Sequence, residues 1–211
     1  MTFHSRAWTN YLRENENSGT VVAIFGPSAS GKSVARDVFV NNGWEKIISF
    51  TTRPPRPGST EAENREYEFI SPENFQDLYD QDRLLNVNLS YAGNSYGNDK
   101  EAIRATSNGV MITDKTSVMK LKKELKDLGK QVYTVYVTAS PGELISRQEK
   151  RKETGEYESP EQLAARMKEL EKEVAKDEKV QSLADYIVQE DNIQNTIDSA
   201  SKLAQELLSN I

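Results

Sequence analysis

The sequence predicts an α/β fold, a mostly parallel sheet with helices on both faces. Two observations predict it. Short β-branched apolar runs alternate with helix-period segments along most of the chain. The run Thr20–Phe25 is continuously apolar rather than alternating, as strands buried on both faces are. At 211 residues, the chain has room for one large α/β domain or for a core with small inserts.

In order, residues 3–14 place Phe3, Ala7, Trp8, Tyr11 and Leu12 at helical spacing. Thr20–Phe25 (TVVAIF) is a buried-strand run. A Gly/Ser-rich turn leads to a helix from Lys32 to Asn41, closed by Asn41-Asn42-Gly43. Trp44–Ser49 reads as a second strand. Residues 50–98 change character, rich in Pro, Tyr, Asn and Ser, and read as a small insert. Within it, Arg65–Ile70 and Leu84–Tyr91 read as strands. Pro72–Tyr79 reads as a helix opened by Ser71, and Ala92-Gly93-Asn94 as a turn. The βα rhythm then resumes: helix Asp99–Ser107, strand Gly109–Thr113, helix Lys115–Leu128, strand Gln131–Thr138, helix Gly142–Lys152. Ser159-Pro160-Glu161-Gln162 opens a long helix with Ser at the cap and Pro at the first position. Ala184–Val188 is a last strand and Ile193–Leu208 a closing helix.

Composition excludes several chemistries. The absence of Cys removes disulfides, zinc–thiolate sites, iron–sulfur clusters and thiol catalysis. A single His, at position 4, argues against His-based metal sites and Ser-His-Asp triads. The net charge of −6 argues against sequence-independent nucleic-acid binding. No apolar run approaches the roughly 18 residues of a membrane span. The N-terminus lacks the basic-then-apolar pattern of a signal peptide, so the expectation is a cytoplasmic protein. Half of residues 141–180 are charged, a pattern that first reads as a solvated helical face.

Gly26-Pro27-Ser28-Ala29-Ser30-Gly31-Lys32-Ser33 fits G-x-x-x-x-G-K-[ST], with a strand before it and a helix after it. The pattern is a phosphate cradle. Gly26 and Gly31 allow backbone angles that other residues reach only with strain. Successive amides can then form a concave anion nest, with the positive end of the following helix behind it. Lys32 is expected to reach the β/γ-phosphates. Ser33 is expected to give a hydroxyl oxygen to Mg²⁺, a hard cation that prefers oxygen. ATP binding follows.

A second anion site begins where the second strand ends, at Ser49-Phe50-Thr51-Thr52-Arg53-Pro54-Pro55-Arg56-Pro57-Gly58. Two arginines three apart, stiffened by prolines, make a two-pronged cation suited to phosphate oxygens. After a P-loop, this run resembles the guanylate kinase family pattern S-x-T-T-R-x-x-R-x-G. Tyr67-Glu68-Phe69 and Gly93-Asn94-Ser95-Tyr96-Gly97 resemble that family's Y-x-F and G-N-x-Y-G. Arg147, Arg151 and Arg166 continue the resemblance, which spans about residues 20–190.

The resemblance implies a P-loop three-layer fold with a small mixed α+β acceptor insert and a helical lid. The implied division is a helical extension at 1–17 and a core at 18–50, 97–140 and 180–211. The insert is 51–96, and the lid with its flanking helices is 141–179. It implies that Arg53, Arg56, Tyr67 and Tyr96 hold the phosphate of a nucleoside monophosphate, and that Ser49 touches its base. Arg147, Arg151 and Arg166 are implied to act on the ATP phosphates and the transferring group. Asp114, just past the strand Val110–Thr113, is the candidate carboxylate near Mg²⁺; an ordinary helix cap is the equal alternative.

The chain departs from the family pattern on the base side. Ser59 stands where an acid is usual, with Glu61 two later, and the stretch before Tyr67 is about two residues longer. Asn86 aligns with a Glu that reads guanine. The paired acids of the next strand reduce to Ile112-Thr113-Asp114, and Gln189 replaces an Asn beside the adenine. The leading expectation is an ATP-dependent kinase of GMP or dGMP, acting as a monomer or homodimer. A second is the same fold acting on another base, a modified nucleotide or ribose 1,5-bisphosphate. A third is a non-catalytic binding module; such modules usually lose the P-loop Lys and the lid arginines, and here both are present.

Overall fold

The computed structural model describes residues 19–55, 62–91, 93–153, 164, 167–168 and 180–211. The helix expected over 3–14 and most of the one expected from Ser159 lie outside these residues, as do Arg56 and Arg166.

Among the described residues, five parallel strands form the main sheet. They are β1 (Thr20–Phe25), β2 (Glu45–Lys46), β7 (Asn108–Ile112), β8 (Gln131–Thr138) and β9 (Tyr186–Gln189). Their order is β2-β7-β1-β8-β9, with β1 paired along its length to β7 and β8. Every residue of β1 is buried, as its unbroken apolar run requires. Its side chains divide by alternation. Val22 and Ile24 pack with Phe39, Trp44, Leu203 and Leu207. These come from or adjoin α1 (Lys32–Asn41) and α6 (Ile193–Ser209). Val21 and Ala23 pack on the opposite face with Ile103, Leu121 and Leu125, from α3 (Lys100–Ala105) and α4 (Val118–Asp127). The sheet is therefore covered on both sides, as expected.

A second sheet, of four strands, has the order β4-β3-β6-β5. It comprises β3 (Ser49–Thr51), β4 (Tyr67–Phe69), β5 (Leu84–Tyr91) and β6 (Asn94–Asp99). β3 runs parallel to β4 and antiparallel to β6, which pairs antiparallel with β5. Helix α2 (Pro72–Asp80) is capped by Ser71, whose side chain accepts from the Asn74 N–H. Phe75 on α2 is buried, and its ring lies near Gly97 of β6. Helix α5 (Pro141–Glu153) follows β8.

Four expectations need correction. The single strand expected over Trp44–Ser49 is two short strands in different sheets, so the chain leaves the main sheet after Lys46. The strand expected from Arg65 begins at Tyr67, because Arg65 sits in a turn with φ 47°. Helix α4 begins at Val118 rather than Lys115, because Asp114 shapes a turn ahead of it. The turn expected at Ala92-Gly93-Asn94 opens an unforeseen strand, β6, whose sequence NSYGND has no apolar alternation to announce it.

Candidate active site

The P-loop joins β1 to α1. Gly26 has φ 150° and Gly31 φ 97°, both in the region that favours glycine. A Cβ on Gly26 would lie 2.0 Å from the Val137 carbonyl oxygen, so no side chain fits there. Ala29 also has positive φ, 63°, an uncommon angle for a non-glycine residue. Ser30 is fully buried, and its hydroxyl has no hydrogen-bond partner among the described residues. An unsatisfied buried hydroxyl inside an anion-binding loop fits a ligand rich in oxygen acceptors. The Lys32 amine donates to the carbonyls of Gly26 (3.0 Å) and Pro27 (2.6 Å), folding across the loop. Ser33 is exposed in the first turn of α1.

Arg147, on α5, packs against this loop. Its guanidinium donates to Glu143 (2.8 Å) and the Asp191 carbonyl (2.8 Å), with longer contacts to the carbonyls of Ala29 and Ser30 (both 3.4 Å). It thus laces α5 to the P-loop and to the β9–α6 turn. Arg151 is one turn further along α5. Asp114 Oδ1 accepts from the N–H groups of Thr116 (2.7 Å) and Ser117 (2.9 Å) and from the Thr116 hydroxyl. Burial alone would raise its pKa. The hydroxyl and backbone donors of Thr116 and Ser117 outweigh that and hold it below the usual carboxylate value.

The second site is built on the smaller sheet. Register sets Ser49 beside Tyr67 and Thr51 beside Tyr96. The Arg53 guanidinium lies over the Tyr67 ring at 5.4 Å and the Phe69 ring at 5.8 Å. Tyr67 meets Tyr96 edge to face, centroids 6.0 Å apart. One cation and two phenols therefore share one corner, and the aromatic faces fix the guanidinium by cation–π attraction. Arg53, Tyr67 and Tyr96 are thus brought together, and a cation flanked by two phenolic hydroxyls is chemically suited to an anion.

A polar chain runs beside it. The Thr113 hydroxyl donates to Asn86 Oδ1 (3.5 Å), Asn86 Nδ2 to Asn98 Oδ1 (3.3 Å), and Asn98 Nδ2 to Ser49 Oγ (2.9 Å). Asn98 Nδ2 also faces the Ile48 carbonyl at 3.4 Å, which fixes the orientation of that amide. Ser49 accepts from Asn98, so its own O–H remains a donor. Asn86 has φ 53° at an irregularity between β5 and β6. Its N–H is held by the Glu124 carboxylate of α4 at 2.9 Å.

A family model for guanylate kinase matches residues 18–207. The chain belongs to the guanylate kinase family. Among its relatives, the guanylate kinase of Lactobacillus johnsonii is 26% identical over 196 residues, covering 90% of this chain and 89% of that one. That of Koribacter versatilis is 30% identical over 187 residues, covering 86% and 76%. The crystal structure of the Anaplasma phagocytophilum guanylate kinase shares the fold, with TM-score 0.63 and 20% identity over 89% of this chain and 85% of that one.

Guanylate kinases are phosphotransferases of the nucleoside monophosphate kinase class, and this member carries the complete P-loop. Sequence reasoning missed Asn98, which is fully buried and bonded to both Ser49 and Asn86. The missing signal was β6 itself. Residues two apart on a strand share a face, so a strand over 94–99 would have set Asn98 with Tyr96. Among the described residues, no helix is long and apolar enough to cross a membrane.

Proposed function

We propose that this protein transfers the γ-phosphate of ATP to GMP or dGMP, giving ADP and the nucleoside diphosphate. One observation carries the reading. An intact phosphate cradle, folded as strand, turn and helix, shares a guanylate kinase chain with the Arg53–Tyr67–Tyr96 clamp. Such a transfer asks little covalent chemistry of the protein; it needs in-line positioning, charge neutralisation and exclusion of water.

In this reading Gly26, Ser28, Ala29, Ser30, Gly31, Lys32 and Ser33 cradle the ATP phosphates. Lys32 releases the loop carbonyls it now binds and turns to the β/γ-phosphates. Arg53, Arg56, Tyr67 and Tyr96 hold the acceptor phosphate, and Ser49 and Asn86 face its base. Arg147, Arg151 and Arg166 neutralise charge that develops on the transferring group. The Ser33 hydroxyl and the Asp114 carboxylate are hard oxygen donors and fit Mg²⁺. With ATP bound, that ion would neutralise the phosphate oxygens.

The base-side chain of Ser49, Asn86, Asn98 and Thr113 is built of neutral groups. That observation supports a second reading, the same transfer to a different acceptor. The test is ADP release from Mg-ATP across a panel of ribo- and deoxynucleoside monophosphates and ribose 1,5-bisphosphate. Turnover of GMP or dGMP well above the others supports the first reading. Turnover confined to another acceptor replaces it with the second.

A further inference from the structure

An ion pair joins the P-loop helix to the acceptor strand, and neither phosphate site uses it. Arg36 stands on α1, one helical turn after Lys32. It is almost fully buried, an unusual place for an arginine. Its guanidinium grips Glu66 with two bonds, Nη1 to Oε2 at 2.5 Å and Nη2 to Oε1 at 2.9 Å. Its remaining side donates twice to Asp37 Oδ1, at 2.9 and 2.7 Å. Glu66 directly precedes Tyr67, the first residue of β4. A second core cation backs the same segment. The Lys46 amine, on β2, lies 3.6 Å from Glu66 and donates to the Asn64 carbonyl at 3.1 Å.

We propose that Arg36 and Glu66 are positioning residues of phosphoryl transfer, their bidentate pair fixing the acceptor-phosphate strand against the P-loop helix. The proposal rests on the kinase reading above. The path is short and made of stiff parts. It runs along one turn of helix from Lys32 to Arg36, through a forked ion pair to Glu66, and through one peptide to Tyr67. The Tyr67 ring in turn lies under the Arg53 guanidinium.

A planar guanidinium meeting a carboxylate with two parallel bonds sets orientation as well as distance. Net stability is a weaker reason for such a pair, because desolvating two charges offsets most of their attraction. Position is the stronger one. In-line transfer is sensitive to placement, and a misplacement of about 1 Å can cost on the order of 100-fold in rate. Neither residue touches a phosphate, so both act through Tyr67 and the clamp it builds.

The test compares wild type with Glu66→Gln, which keeps the side chain's shape, and Arg36→Lys, which keeps the charge and loses the fork. Three quantities are read: kinetic constants for ATP and acceptor, thermal midpoint, and amide hydrogen exchange. We expect kcat/KM for the acceptor to fall at least tenfold in both variants, with KM for ATP within twofold of wild type. We expect the Ile70 amide, which binds the Thr51 carbonyl across β3–β4, to exchange faster. The charge-reversed pair Arg36→Glu/Glu66→Arg should recover part of the loss. If Glu66→Gln keeps the wild-type acceptor kcat/KM and Ile70 exchange, the proposal is overturned, even if the thermal midpoint drops. If wild type prefers an acceptor other than GMP, the kinetics are read with that acceptor. If wild type turns over none, the kinase reading fails, and the Ile70 exchange alone decides whether the pair holds the strand.

Discussion

Two residues carry backbone angles that predict the behaviour of their mutants. Ala29 holds φ 63° inside the phosphate cradle. Left-handed backbone costs an L-residue about 1–2 kcal/mol, a strain that glycine escapes. Ala29→Gly should therefore raise unfolding free energy by about 1 kcal/mol in urea titrations. Asn86 likewise has φ 53°, and Asn tolerates that region better than other side chains. The backbone at this position therefore suits Asn better than Glu. Asn86→Glu should strain the bulge and bring a second carboxylate toward Glu124, which already binds the Asn86 amide. We predict a loss of about 1–2 kcal/mol in stability, together with greater use of GMP relative to other bases. An unchanged base preference in a panel assay would show that Asn86 does not face the base.

At the scale of elements, the segment that enters β4 is tied down by ion pairs. Burial alone would raise the Glu66 pKa, but the hydrogen bonds and charge of Arg36, helped by Lys46, hold it below the unperturbed 4.5. A depressed carboxylate stabilises the fold above its unfolded pKa, and that stabilisation is lost as pH falls through the folded value. The stability gap between wild type and Glu66→Gln should be full at pH 7 and shrink on acidification below about pH 4.5. Urea midpoints at a series of pH values measure it; a gap independent of pH contradicts the pairing. The same scale shows what was readable. β1, α1, β5 and β8 fall at the bounds read from sequence; for β1, α1 and β8, buried β-branched runs and a P-loop leave strong local signals. β6 left none, since its residues Asn94, Gly97 and Asn98 owe their conformation to β3 and β5 on either side. The Arg36–Glu66 pair spans thirty residues, from a helix to the residue before β4, so no local pattern could announce it.

At the scale of the whole molecule, the described residues form a parallel sheet that displays the P-loop and a smaller sheet that gathers Arg53, Tyr67 and Tyr96. The P-loop turn was legible as a motif, because its glycines take positive φ that other residues reach only with strain. The polar chain from Thr113 to Ser49 was only half legible. Ser49 and Asn86 were named, whereas Asn98 and its buried amide emerged only with the fold. Removing it should strand three partners, Asn86, Ser49 and the Ile48 carbonyl: Asn98→Ala is expected to cost about 1–3 kcal/mol in stability, with weaker acceptor binding in calorimetric titration. The low apolar content, 36% of residues, is compatible with this plan, since both faces of the main sheet are nonetheless filled. The most direct test of the central claim is product formation from Mg-ATP and GMP by wild type and by Lys32→Ala, followed as ADP and GDP together. The account predicts equal amounts of ADP and GDP from wild type and a loss of at least 100-fold in the variant, in line with removing a charge that acts on the transition state. ADP without GDP, or a Lys32→Ala variant as active as wild type, would contradict it.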